Sequence, residues 1–160
     1  GTEWTKRLQP IERTAAFELI DDNGDGQTLT DPATDAPALL RTDGTLVAAI
    51  PHRLTATTPL AELILSKDLV WIRTADGTLY PAPKHATRGL SWGYSGGGPA
   101  ELAALIDRLL DDINAAAPGN YGAHDGLEQL TQMPWPAGTV LTREQLEAAR
   151  AGHPPQPPSR

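Results

Sequence analysis

The residues Gly93-Tyr94-Ser95-Gly96-Gly97 satisfy G-x-S-x-G, the pattern of a nucleophile elbow, in which a tight strand-to-helix turn exposes a serine for covalent catalysis. A helical pattern follows from Pro99, as that mechanism requires. The elbow also needs a buried strand feeding the serine, an oxyanion loop, and an acid and a histidine further along the chain. The preceding "PKHATRGLSW" is polar and basic instead. Downstream, Asp111 and Asp112 fall on the polar face of the helix, while His124 and His153 lie in a loop and a tail. A serine hydrolase using Ser95, with His124 as its base, therefore stands as an alternative to the leading reading.

The same glycines suit a ligand. Flexible backbone leads into a helix N-terminus, whose unpaired N–H groups and positive dipole end favour an anion, and two aromatic residues adjoin it. The candidate ligand-binding set is Trp92, Gly93, Tyr94, Ser95, Gly96, Gly97 and Gly98, with a planar group stacked over a polar cradle. The competing reading is packing: glycines let the helix sit close to the sheet, with both rings as core. No Gly-Lys-Ser/Thr completes a phosphate loop, and Glu101 stands where a dinucleotide fingerprint needs its third glycine. No cofactor is implied.

Along this stretch the chain resembles an uncharacterised bacterial and phage family, a domain of unknown function (number 6166), whose hallmark runs Trp-Gly-Tyr-x-Gly-Ser-Gly-Pro-x-x-Leu-Ala. Trp92, Gly93, Tyr94, Gly96, Gly98, Pro99, Leu102 and Ala103 match it in order, and Gly97 replaces the usual serine. Ser95 falls at the position the family leaves free. The resemblance spans about 69–151 and leaves 1–68 outside. It brings no established activity and implies only a small domain of the kind often found in mobile-element and phage contexts, so a binding or accessory protein of such origin is an expectation.

Other chemistry is thin. In "DDNGDGQTLTDP" the residues Asp21, Asn23 and Asp25, with Gly26, match the first half of a calcium loop, but Pro32 stands where a bidentate glutamate is needed. A polar turn is the leading reading there and a partial metal site the alternative. His52, His85, His124 and His153 lack the spacing that puts two on one metal. Absence of cysteine removes disulfides and thiolate chemistry. A net charge of −7 argues against a partner held through nucleic-acid phosphates. It leaves a second alternative, an acidic decoy presenting Asp107, Asp111 and Asp112 to a basic protein. No apolar run is long enough to span a membrane, and no hydrophobic segment opens the chain. A cytoplasmic binding module for a protein or a small anionic or planar ligand is the expectation, and Gly1 at the start suggests a processed end or a fragment.

The elements that must position these residues read as α+β, a small mostly antiparallel sheet of hairpins packed by one long helix with a short helix after it. "LLRTDGTLVAAIP" (39–51) and "VWIRTADGTLYPAP" (70–83) are hairpins, the second carrying an extra Ala75 that predicts a bulged turn. "TAAFELI" (14–20) predicts a strand. Thr58-Pro59 predicts the start of a short helix over 59–66, although the apolar crowding of "PLAELIL" leaves a strand open. Leu102, Leu105, Ile106, Leu109, Leu110 and Ile113 predict a helix over 99–117, with Gly98 as N-cap and Glu101, Asp107, Arg108, Asp111 and Asp112 on the water side. A short helical turn is expected at 125–131. Thr142 and Gln145 predict a capping box opening a last helix. One globular domain over 1–151 and a disordered proline-rich tail over 152–160 complete the expectation.

Overall fold

The computed structural model describes residues 2–10, 26–67, 69–85, 89–118 and 123–158. Strand 14–20 and the candidate metal residues Asp21, Asn23 and Asp25 lie outside them. The fold is α+β, as the sequence predicts, with two four-stranded antiparallel sheets and helices. The single domain expected over 1–151 divides at Pro51 into two compact units, each with its own sheet.

The first unit, Gly1–Pro51, places helix α1 (Thr2–Arg7) before β1 (Gln9–Pro10), β2 (Gln27–Thr30), β3 (Pro37–Leu40) and β4 (Leu46–Ala48), in spatial order β1-β2-β3-β4. Trp4, Leu29, Ala38 and Leu39 are buried. So is Asp31, only 1% exposed, at the end of β2. Its carboxylate accepts from Trp4 Nε1 at 2.9 Å, from Arg7 Nε and Nη2 at 2.8 and 2.9 Å, and from the Ala33 N–H at 3.0 Å. Burial alone would raise this carboxyl. The hydrogen bonds from Arg7 and Ala33, the Arg7 charge and the Trp4 indole outweigh it and hold the group below the usual carboxylate range.

The second unit, His52–Arg160, has a sheet of order β7-β6-β5-β8, made of β5 (Leu60–Leu65), β6 (Val70–Thr74), β7 (Leu79–Pro81) and β8 (Thr139–Thr142). Three helices belong to it: α2 (Gly97–Asp111), α3 (Asp125–Gln132) and α4 (Arg143–Arg150). The short helix predicted at 59–66 is strand β5. A register shift between Leu60 and Glu62 inserts Ala61 as a bulge, so buried Leu60 and Leu63 stand three apart and imitate helical spacing. Thr58 Oγ1 caps no helix; it accepts from the Asp76 N–H of the neighbouring turn at 3.2 Å.

The two Asp-Gly turns close alike. Arg41 N–H donates to Thr45 O at 2.8 Å and Gly44 N–H to Arg41 O at 3.0 Å; Thr74 N–H donates to Thr78 O at 3.0 Å and Gly77 N–H to Thr74 O at 2.9 Å. Gly44 and Gly77 take φ of 88° and 89°, the left-handed position that closes such a turn. Ala75 therefore does not bulge the second turn. It displaces Arg73 one place back into β6.

Helix α2 buries nine of its fifteen residues and keeps Arg108 and Asp111 exposed as predicted, but Glu101, expected on the water side, is 1% exposed. The helix also stops at Asp111, six residues short of the predicted 117. Asp112 Oδ1 accepts from the Asn114 N–H, and the Asn114 amide donates to Leu54 O and Ala56 O, all at 2.9 Å. A side-chain bond to a distant segment thus replaces the last turn of helix. At the next helix, α3, Gly126 lies so close to Ala149 O of α4 that a Cβ would collide with that carbonyl. The predicted capping box of α4 is present: Gln145 N–H donates to Thr142 Oγ1 at 3.2 Å and Thr142 N–H to Gln145 Oε1 at 2.9 Å. Beyond α4, residues 153–158 carry no helix or strand, yet Pro154, Pro155 and Pro157 are half-buried.

Candidate functional site

The glycine loop joins Gly89 to the start of α2, and three hydrogen bonds from a segment some forty residues later fix it. Trp92 Nε1 donates to Trp135 O at 3.0 Å, Gly93 N–H to Thr131 O at 2.8 Å, and the Thr131 hydroxyl to Pro99 O at 2.9 Å. Trp135 Nε1 in turn donates to Leu130 O at 2.8 Å. The half-buried Trp92 ring joins Leu63, Leu65, Leu102, Leu130 and Leu141 around a crevice too narrow for water. Its role is interior packing.

Tyr94 does the opposite. Its ring is 52% exposed, one of three large hydrophobic side chains exposed among the described residues. The hydroxyl pairs with Ser91 Oγ at 2.6 Å, and the ring lies along the first turn of α2. A Cβ on Gly96 would sit 2.8 Å from Tyr94 Cε2, and one on Gly98 would collide with Ser91 Oγ. Gly93 has φ of 92°, which a side chain would strain. Three glycines therefore have steric reasons to be glycine. Gly97, where the resembled family carries serine, is exposed.

Trp92 and Tyr94 thus turn to opposite sides and do not face a common cradle. Helix α2 begins at Gly97 with Gly96 as N-cap, two residues ahead of the predicted start at Pro99. The first turn of the helix is covered by the protein's own Ser91 and Tyr94. What the loop offers outward is the Tyr94 ring with Ser95, Gly96 and Gly97.

Ser95 is exposed and forms no hydrogen bond among the described residues. His124, the alternative base, is the N-cap of α3, with Nε2 3.8 Å from Asp107 Oδ1. No hydrogen bond joins it to Ser95. Asp107 and Asp111 are bridged by Arg150 Nη1 at 3.5 and 2.9 Å, and Asp112 is engaged with the Asn114 N–H, so the carboxylates of the decoy reading have partners within the chain. Among the described residues no three histidine, aspartate or glutamate side chains gather as a metal site, and no helix is long and apolar enough to cross a membrane.

The residues that sequence reading passed over are Ser91, Thr131 and Trp135. Of these only Trp135 stood out in the sequence, set between Pro134 and Pro136, which punctuate a turn. Compared with family models, with curated proteins and with solved structures, the chain matches none.

Proposed function

We propose that this protein is a binding or accessory module, not an enzyme, and that it meets its partner through Tyr94 and the exposed backbone of Ser95, Gly96 and Gly97. One observation carries the reading. Tyr94 stays 52% exposed on a loop whose two ends are pinned to the interior, which presents an aromatic ring on a rigid base. Such a ring loses little conformational entropy on contact, and aromatic residues of this kind anchor interfaces.

Two measurements test it. A fluorophosphonate probe applied to the intact chain is expected to leave Ser95 unlabelled; labelling that disappears in Ser95→Ala overturns the non-enzymatic reading. A photoreactive benzoylphenylalanine at position 94, in cells that express the protein, is expected to give a discrete adduct that excess wild-type chain competes away and Tyr94→Ser chain does not. An equal adduct from position 140, where exposed Val140 serves as control, would count against a contact face at the loop.

A further inference from the structure

Separate from the glycine loop, the second unit brings together two dipeptides that lie more than thirty residues apart. His52 and His85 contact each other edge to face, with ring centroids 5.8 Å apart, which sets His52-Arg53 beside Lys84-His85. His52 and Arg53 are exposed, and Lys84 and His85 are half-buried. The His52 carbonyl accepts from the Ala117 N–H at 2.8 Å, which fixes the backbone there. Arg7, Arg73, Arg143 and Arg150 each face a carboxylate within 4 Å. Arg53 and Lys84 make no ion pair or hydrogen bond among the described residues. In a chain with 20 acidic and 13 basic residues, two such cations beside two imidazoles are a local reversal of charge.

We propose that His52, Arg53, Lys84 and His85 form a binding patch for a compact phosphate-bearing ligand. Arginine supplies a planar fork matched to two phosphate oxygens, lysine a compact charge, and the exposed His52 imidazole an N–H donor. A divalent metal on the two histidines would have to approach both fixed positive charges, which opposes it. An extended nucleic acid would run off the patch onto a surface of net charge −7.

The test is titration of the intact chain with tripolyphosphate, at ionic strength matched with chloride, followed by backbone amide shifts. Saturable shifts at residues 52, 53, 84 and 85 are expected. Arg53→Gln or Lys84→Gln, which remove the charge but keep a polar side chain, each weaken binding about threefold, the scale of one exposed charge contact. The double variant weakens it about ninefold if the two contacts add, and Arg108→Gln, at an exposed site elsewhere, leaves it unchanged. Four results would overturn the proposal: no saturable shift, equal weakening by Arg108→Gln, response of these residues to Zn²⁺ but not tripolyphosphate, or tighter binding there of a short single-stranded oligonucleotide.

Discussion

In the first unit a turn without regular structure is held by charge. Asp31 gathers the Trp4 indole, the Arg7 guanidinium and the Ala33 N–H around one buried carboxylate. In the second unit the glycine loop is held by close approach, where Gly98 leaves room for Ser91 and Gly96 leaves room for the Tyr94 ring. Both devices fix a connecting segment, but they fail differently. A buried charge network depends on every partner and on pH, whereas a steric fit depends on volume alone.

The largest expected effect tests the charged half. Asp31→Ala removes the acceptor shared by the Arg7 guanidinium, the Trp4 N–H and the Ala33 N–H, and should cost the first unit about 3–5 kcal/mol, read by denaturant unfolding followed through backbone amide signals of that unit. That is enough to unfold a small unit. A loss under about 1 kcal/mol would mean the network is no better than a surface pair.

Acid gives the second test. The Asp31 carboxyl is held below its ordinary value in the folded chain, so its stabilisation is complete above the unfolded carboxylate range. It is lost as pH falls through the lower, folded value. Wild-type stability in the first unit should decline as pH drops below about 4, and Asp31→Asn should flatten that decline. An unchanged acid slope would remove Asp31 as its cause.

Gly98→Ala tests the steric half and should cost the second unit about 1–3 kcal/mol, the usual penalty for forcing a carbon into a filled site. Unlike the Asp31 effect, this loss should not vary with pH. In a Ser91→Gly background the same substitution should cost clearly less, because the colliding side chain is gone. Additive losses would show that the collision is relieved elsewhere.

Thr142→Ala, which removes half of the capping box, should cost about 1 kcal/mol by thermal unfolding. The smallest effect separates the paired turns. Asp76→Ala should lower stability more than Asp43→Ala, because the Asp76 carboxylate accepts from the Thr74 hydroxyl as well as the Thr78 N–H. Asp43 draws on Thr45 alone, through its N–H and its side chain.

Local chemistry was readable wherever a short stretch carries its own reason. The capping box of Thr142 and Gln145, both Asp-Gly turns and the apolar spacing of α2 follow from neighbours within a few residues. The Trp92–Gly98 loop was legible as unusual, but its assignment as an aromatic cradle was not, because the two rings part company only when Trp135 and Ser91 are in place. Strand β5 was ambiguous for a specific reason: the bulge at Ala61 shifts Leu60 onto a helical spacing from Leu63. Burial of Glu101 and the early stop of α2 at Asp111 were hidden because their causes lie in segments far along the chain.

The sequence by itself determined the helical stripe of α2, the two Asp-Gly turns and the cap of α4, since these depend on backbone preference and on side chains that bond to their own neighbourhood. Tertiary structure alone decided which polar groups became partners: Asp31 with Trp4 and Arg7, Thr131 and Trp135 with the glycine loop, His52 with His85. Such pairs join residues from 24 to 43 positions apart, and no periodicity encodes them. They form because a buried polar group must find a partner or lose its hydration uncompensated, and only the packed chain brings that partner within reach.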